Sequence, residues 1–306
     1  MRFKQPAVFL IAQTKPNDSE IRRWLEYLGC DDETVKKYAS AKTRITGGFD
    51  EGAVKTNGER IVELAGRRCY LAFQKGLNSN VQRIRDDIAE YCTNILKQKH
   101  GSVLEHVYYS FAIEGVSRVF TGEMNRHRAG MAISEGSMRF IAYDDIPLTE
   151  TPMLALSDAQ IDDQLREYMA ATVDDNVSHL DSLPVKKQRT RELFRECCYQ
   201  IEHYYKQLRV VWRDELRPES KFKDKKHITS LLRRIIPMGV ATGGVWTGNI
   251  RALRHLCTMR CAESAEEEIC FVATKILGVM MKEEPTLFGD FKQDDNGFWY
   301  PIYEKV

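Results

Sequence analysis

The helical spacing of apolar residues over much of the second half of this chain limits its fold more than any other feature. Segments 158–172 and 191–212 repeat apolar residues at every third or fourth position, and Pro184 separates them. Beyond Pro237, similar spacing predicts one long helix over residues 250–281. The first half adds shorter predicted helices over residues 18–29, 59–73, 80–101 and 116–128. The fold must therefore be largely helical.

Two stretches have the composition and spacing of β-strands. Residues 7–12 form a short apolar run, and residues 106–115 are rich in aromatic side chains and close on Gly115. Pro237 and the glycine-rich stretch 239–249 are expected to break the helical pattern before the last long helix. Long helices with a few strands predict an α+β fold, and the lack of a low-complexity linker predicts one domain.

Composition argues against several classes of protein. The 306 residues carry a formal net charge of +1, which gives no global attraction to nucleic acid or to an anionic membrane. Hydrophobic residues make up 43% and charged residues 29%, as in soluble globular proteins. The apolar stretch 270–281 is interrupted by Lys275 and is shorter than the ~20 residues of a membrane span. We therefore expect a cytoplasmic protein with neither nucleic acid nor membrane as a partner.

The eight cysteines form no C-x-x-C pair. Without an export signal, they predict free thiols rather than a disulfide framework. His255, Cys257 and Cys261 come nearest to the spacing of metal ligands. On a helix, however, Cys257 and Cys261 would share a face from which His255 points away, and a fourth ligand is missing. We therefore expect no metal site.

Arg126, His127 and Arg128 stand together at the end of a predicted helix that Ser117 is expected to cap. Guanidinium groups stay charged and are almost never buried without partners. The triplet is therefore either a solvated helix end or a group that binds anions, and composition alone leaves both interpretations open.

Polar residues with complementary chemistry follow the triplet. Ser137 and Arg139 supply a hydroxyl and a further guanidinium, a combination suited to phosphate. Glu135 is able to orient the arginines or to accept a hydrogen bond from a ribose hydroxyl. An arginine-rich helix end paired with surface carboxylates remains the alternative interpretation.

Two further clusters carry polar side chains. Asn249, Arg251, His255 and Arg260 fall along one predicted helix, on which Arg251 and His255 share a face. An ordinary amphipathic helix with a solvated basic face is the alternative interpretation.

The other cluster comprises His100, Ser102, Glu105 and His106, just before a predicted strand. A structural, hydrogen-bonded histidine is the favoured interpretation there. The chain has no G-x-S-x-G, no G-x-x-x-x-G-K-[ST], no G-x-G-x-x-G and no cysteine in a nucleophile motif. The pattern indicates bound anions rather than covalent catalysis by the protein.

Taken together in chain order, these three clusters resemble conserved blocks of the flavin-dependent thymidylate synthase family. The motif of that family is Arg-His-Arg, a gap of seven residues, and Ser-x-Arg. Here Arg126-His127-Arg128 is intact, and Ser137-Met138-Arg139 supplies the end. Segments 100–118 and 233–261 resemble the family's strand entry and its second ligand-binding block. The likeness covers about residues 60–290.

The resemblance implies a particular architecture. It implies an α+β domain over residues 61–306, with an antiparallel or mixed sheet flanked by long helices, and an N-terminal extension over residues 1–60 packed on it. It also implies a homotetramer whose sites draw on several subunits.

The resemblance further implies an activity and a set of site residues. The activity is methylation of dUMP to dTMP with FAD, with 5,10-methylenetetrahydrofolate as one-carbon donor and NADPH as reductant. Arg260 would be catalytic, facing the pyrimidine and favouring its ionisation at N3. FAD would be bound by Ser102, Arg126, His127, Arg128, Glu135, Asn249, Arg251 and His255. The nucleotide would be bound by Glu123, Ser137, Arg139, Arg233 and Arg260.

This sequence departs from the family motif near the expected substrate. The gap between Arg128 and Ser137 is eight residues, Gly136 stands where Gln is common, and Phe140 replaces a common Tyr. Glu123 stands where Gln is usual, and an ionised Glu only accepts hydrogen bonds, whereas Gln also donates them. Glu123 therefore either discriminates against uracil or pairs with a nearby arginine, which is the simpler interpretation.

Three alternatives to thymidylate synthesis follow from these observations. The nearest is a diverged flavoenzyme that adds a methyl or hydroxymethyl group to another pyrimidine nucleotide, such as dCMP. A nucleic-acid-binding protein is disfavoured by the near-neutral charge and by the lack of a known module. A catalytically silent scaffold is disfavoured by the intact triplet and Arg260.

Overall fold

A computed structural model of the chain describes residues 2–39, 55–141, 143–150 and 183–306. It confirms the α+β class, because helices and short strands are interspersed along the chain. Both parallel and antiparallel strand pairs occur. The predicted helix over residues 158–172 lies outside the described residues. None of the described helices is both long and apolar enough to span a membrane.

The described elements follow one another in chain order. The helices are α1 (Asp18–Tyr27), α2 (Asp32–Ala39), α3 (Asn57–Tyr70), α4 (Ile88–Lys97), α5 (Arg118–Met124), α6 (Leu183–Val211), α7 (Phe222–Leu232), α8 (Ile250–Arg260), α9 (Glu267–Glu283) and α10 (Pro285–Phe288). Short 3-10 helices cover Gly101–His106 and Arg233–Ile235. The strands are β1 (Arg2–Lys4), β2 (Ala7–Gln13), β3 (Tyr108–Val116), β4 (Met131–Glu135), β5 (Pro147–Thr149), β6 (Thr242–Asn249), β7 (Phe291–Gln293) and β8 (Trp299–Pro301).

Four of the strands form one sheet in the order β2-β3-β6-β4. Elsewhere, β1 pairs in parallel with β5, and β7 pairs antiparallel with β8. The chain divides into two compact units. The first unit comprises Met1–Ala7, Ile113–Asn125 and Ser134–Gly244, and the second comprises Val8–Ala112, Arg126–Ile133 and Val245–Val306.

In the second unit, the N-terminal helices pack against α3. Leu25 of α1, Val35 of α2 and Leu64 of α3 belong to one buried cluster. Each such side chain stabilises the fold by about 1.5–3 kcal/mol when fully buried. Arg60 of α3 donates to Asp18 of α1 at 2.6 Å. Helices α1 and α2 are therefore held against α3 by apolar contacts, and α1 is also held by an ion pair.

In the first unit, long helices cover the segment that leads into β5. Ile146 and Leu148 share a buried cluster with Tyr205 of α6 and Leu232 of α7. The buried carboxylate of Glu202 accepts a hydrogen bond from the Ile146 N–H at 2.9 Å. This bond satisfies a backbone group that would otherwise be costly to bury.

The helix predicted over residues 80–101 is shorter than expected. It begins only after Asp87, whose side chain accepts a hydrogen bond from the first turn and so fixes the start. The preceding residues are held in a non-helical path, because the buried Arg67 donates to the carbonyl of Arg85. Gly101 begins a 3-10 helix instead of ending α4.

The helix predicted over residues 250–281 is two helices. α8 ends at Arg260 and α9 begins at Glu267. The side chain of Glu266 accepts hydrogen bonds from two backbone N–H groups in the first turn of α9, which fixes the new start. Apolar spacing continues on both sides of this turn, so periodicity alone missed it.

The glycine-rich stretch 239–249 contains strand β6, which the sequence did not predict. A Cβ atom at Gly243 would overlap the carboxylate of Glu114, and one at Gly248 would meet the sulfur of Met131 at 2.5 Å. These glycines therefore permit close packing beside a strand rather than a flexible loop. Strand β4 was also missed.

Candidate functional site

Arg126, His127 and Arg128 lie in the turn between α5 and β4, not at the end of a helix as predicted. Helix α5 starts after Ser117, as expected, but ends at Met124. The turn closes where the N–H of Met131 donates to the carbonyl of Arg128 at 3.1 Å. Arg126 and Arg128 are exposed, whereas His127 is half-buried. Both guanidinium groups are therefore open to an anion from solvent.

Gly130, within the lengthened loop, joins this turn to the start of α8. Its φ is +70°, which an L side chain rarely adopts, and a Cβ there would lie 2.5 Å from the amide nitrogen of Asn249. The N–H of Asn249 donates to the carbonyl of Gly130 at 3.1 Å. A glycine is thus required for the turn to lie against the N-terminus of α8.

His127 joins the basic triplet to the polar residues of α8. Nε of Arg260 donates to Nε2 of His127 at 3.0 Å. The ring of His255 lies edge-on to His127, with 6.1 Å between ring centroids. The end of α8 and the basic triplet therefore meet within one chain, across 133 residues of sequence.

The electrostatics of this contact keep His127 neutral at physiological pH. Burial, followed by the positive charge of Arg260 and by His255, lowers the pKa of His127 to about 4. Because Nε2 accepts a bond from a guanidinium, the single proton of the neutral ring is on Nδ1. His127 thus orients Arg260 without adding a second positive charge.

Asn249 and Arg251 lie at the first turn of α8. The side chain of Asn249 caps the helix by accepting from the N–H of Ala252 at 2.8 Å. Arg251 donates to Glu105 at 2.6 Å and to the carbonyl of Val306 at 3.0 Å. The contacts with Glu105 and Val306 fix the direction of the Arg251 guanidinium.

Two cavities open on these residues. One, of about 540 Å³, is lined by Asn249, Arg251 and His255. The other, of about 670 Å³, is lined by Ser102, which is exposed on the 3-10 helix, and again by Arg251. Both volumes are in the usual range of cofactor sites. Four of the predicted FAD ligands are therefore brought together around Arg251.

The remaining five predicted site residues belong to the first unit. Glu123 is half-buried in α5, and Glu135 ends β4. The hydroxyl of Ser137 accepts from the N–H of Arg139 at 3.4 Å. Arg139 and Arg233 are exposed. The Ser137 side chain thus contacts the backbone of Arg139.

Several residues of these regions were not predicted from the sequence. Arg118 forms an ion pair with Glu135 and was noted only as part of the segment that leads to the motif. Arg83, Arg85 and Lys99 line the larger cavity, but they were included in the helix predicted there. Glu105 was noted in a polar cluster, and its pairing with Arg251 required the fold.

The cysteines of α8 are arranged as helical geometry predicts. Cys257 and Cys261 are both buried, whereas His255 is exposed. A hydrogen bond between the two sulfur atoms raises the pKa of Cys257 and lowers that of Cys261. They pair with each other on the buried face of the helix.

Comparison with known proteins assigns the family. The family model described as Thymidylate synthase complementing protein matches residues 53–286. The chain is 30% identical to the flavin-dependent thymidylate synthase of Corynebacterium diphtheriae over 238 residues, which cover 78% of this chain and 80% of that protein. The chain belongs to the flavin-dependent thymidylate synthase family.

Other members of the flavin-dependent thymidylate synthase family show similar likeness. The enzyme of Mycobacterium marinum is 29% identical over 235 residues, covering 77% of this chain and 80% of that protein. A crystal structure of the Helicobacter pylori enzyme complexed with FAD and dUMP is 22% identical, covers 77% of this chain and 95% of that chain, and has a TM-score of 0.47. The relatives confirm the family that the motifs predicted. Its members are enzymes, and they are flavoprotein transferases.

Proposed function

We propose that the chain methylates dUMP to dTMP with FAD, with 5,10-methylenetetrahydrofolate as one-carbon donor and NADPH as reductant. The observation that carries the proposal is the contact between Arg260 and His127 at 3.0 Å. It joins the family's Arg-His-Arg motif to its second ligand-binding block in a chain that belongs to the family.

FAD fits the donors around Arg251. The cofactor carries a pyrophosphate between two flat ring systems, and it needs cations and hydrogen-bond donors at a concave surface. The cavities of about 540 and 670 Å³ both include Arg251. In the proposal, FAD is bound by Ser102, Arg126, His127, Arg128, Glu135, Asn249, Arg251 and His255. When bound, FAD supplies hydride transfer and carries the one-carbon unit.

The nucleotide is assigned to the other predicted residues. Ser137, Arg139 and Arg233 bind its phosphate, for which a hydroxyl and guanidinium groups are suited. Arg260 faces the pyrimidine and stabilises negative charge as the base is activated. Neutral His127 holds Arg260 in place by accepting its Nε–H. The protein thus orients substrates and stabilises charge, without a covalent nucleophile.

The remaining parts of the proposal concern assembly. Residues 1–60 are proposed to be an extension packed on the catalytic domain over residues 61–306, which the contacts of α1 and α2 with α3 support. A homotetramer with sites at subunit interfaces, located in the cytoplasm, completes the proposal.

A second candidate function rests on Glu123. Its carboxylate only accepts hydrogen bonds, and it stands at the position where the family usually has Gln. Cytosine presents an amino donor where uracil presents a carbonyl acceptor. The alternative is therefore addition of a methyl or hydroxymethyl group to dCMP.

One experiment separates the two functions. The purified protein is supplied with FAD, NADPH and methylenetetrahydrofolate, with dUMP or dCMP in parallel reactions, and the products are identified by mass. A single methyl gained by dUMP alone is expected. Modified dCMP, or a hydroxymethyl product, would support the alternative, and no product from either nucleotide would refute both.

A further inference from the structure

Arg118 is the first residue of α5, where an arginine does not stabilise the helix. Ser117 caps α5, its hydroxyl accepting from the N–H groups of Val119 at 3.1 Å and Phe120 at 3.2 Å. The Arg118 N–H donates to the carbonyl of Met238 at 2.9 Å. A cation at a helix N-terminus is unfavourable for the helix dipole. The reason for an arginine here must lie in what its side chain contacts.

The guanidinium of Arg118 spans the start of the segment that contains the Ser-x-Arg motif. One nitrogen forms an ion pair with Oε1 of Glu135, another donates to the carbonyl of Gly136 at 2.7 Å, and Nε lies 3.2 Å from the sulfur of Met138. The other carboxylate oxygen of Glu135 accepts from the amide of Asn125 at 2.9 Å. The side chains of Arg118 and Glu135 are only 20% and 18% exposed.

We propose that Arg118 is a positioning residue for nucleotide binding. By holding Glu135 and the carbonyl of Gly136, it fixes the backbone that presents Ser137 and Arg139. The inference rests on the proposed function, in which those two residues bind the nucleotide phosphate. The contacts of Arg118 are with Glu135, Gly136 and Met138 of the segment that carries those two residues.

The charge of Arg118 matters as well as its hydrogen bonds. Glu135 is a half-buried carboxylate only two residues before Ser137. Without Arg118, its negative charge would be unpaired beside the site assigned to a phosphate dianion, and it would oppose binding. Arg118 is therefore expected to act on nucleotide affinity through geometry and through neutralisation of Glu135.

The first test compares Arg118→Gln and Arg118→Lys with the wild-type protein. Amide hydrogen exchange over residues 134–141 is measured without nucleotide, and the affinity for dUMP is measured on FAD-loaded protein. Arg118→Gln is expected to speed exchange in that segment and to weaken dUMP binding at least about tenfold. Arg118→Lys keeps the charge but loses the multiple contacts, so an intermediate loss is expected. Arg217→Gln, an exposed substitution in the same unit, is the control.

The second test uses a double variant to separate charge from packing. If unpaired Glu135 opposes the phosphate, then Arg118→Gln/Glu135→Gln should bind dUMP more tightly than Arg118→Gln alone. Unchanged exchange in Arg118→Gln, or a double variant no better than the single one, would overturn the inference. If the wild-type protein itself does not bind dUMP, the proposed function fails, and the exchange measurement alone decides the role of Arg118.

Discussion

The buried side chain of Glu284 is expected to make the unfolding free energy of the protein depend on pH. Its side chain, in a residue only 1% exposed, accepts hydrogen bonds from the hydroxyls of Thr56 and Tyr109 and from the N–H of Gly58 at 3.1 Å. Burial dominates over these bonds and raises the pKa of Glu284 from 4.5 to about 7. The folded protein therefore binds this proton more tightly than the unfolded chain does.

The sign of the effect follows from that difference in proton affinity. Below about pH 4.5, Glu284 is protonated in both states and the fold has the full benefit of a neutral group. As the pH rises through about 7, the folded state must bury a charge, so the unfolding free energy falls by about 3 kcal/mol in all. About 2.5 kcal/mol of that fall lies between pH 5 and pH 8.

Substitution of Glu284 by Gln should remove this dependence. At pH 5, Glu284→Gln is expected to be about 1 kcal/mol less stable than wild type, because the amide reproduces the hydrogen bonds imperfectly. At pH 8 it should be about 1.5 kcal/mol more stable, because no charge is buried. Urea unfolding at both pH values tests this, with the exposed Glu263→Gln as control. A stability difference between Glu284→Gln and wild type that does not change with pH would refute the reasoning.

Three further predictions follow from the site and the backbone. Arg260→Ala should reduce kcat for dUMP at least about a hundredfold. It should also raise the pKa of His127 above about 4, because a neighbouring positive charge is lost. An unchanged pKa of His127 in an NMR titration would contradict the contact between the two residues. Asn249→Ala should lower the free energy of unfolding in urea by about 1 kcal/mol through loss of the α8 cap, and it should weaken FAD binding. An unchanged stability together with an unchanged FAD affinity would contradict the role assigned to Asn249. Gly115→Ala should destabilise the fold by about 1–3 kcal/mol, since φ is +73° and the new Cβ would lie 2.5 Å from a backbone oxygen. The matched Gly278→Ala, in open space on α9, should stabilise the fold by up to about 1 kcal/mol, and equal effects of the two would refute the argument.

Local signals predicted the elements whose ends are set by nearby residues. The strand over residues 106–115 and the helix over residues 59–73 are present as β3 and α3. Ser117 caps α5 as expected, because an N-cap depends only on the next few residues. The class of fold followed from these elements.

Elements fixed by distant contacts could not be predicted in this way. Strand β6 is rich in glycine because Gly243 lies against Glu114, more than a hundred residues earlier in the chain. The turn after Arg260 interrupts a continuous apolar pattern, so periodicity could not locate it. Glu284 directly follows α9, and its burial results from contacts with Thr56, Gly58 and Tyr109, which are distant in sequence.

The same distinction applies to the site. The Arg-His-Arg triplet and the polar residues of α8 were visible as local clusters. Their meeting through His127 and Arg260 depends on the tertiary fold, as does the pairing of Arg251 with Glu105. The role of Arg118 was hidden because its partners follow it by 17 or more residues.

The proposed function requires that the carbon added to dUMP comes from the folate. The most direct measurement supplies FAD, NADPH, dUMP and methylenetetrahydrofolate labelled with ¹³C at the methylene carbon, and follows the label by NMR. The label is expected to appear in the methyl group of dTMP. Label that stays on the folate, or that appears as a hydroxymethyl carbon, would contradict it.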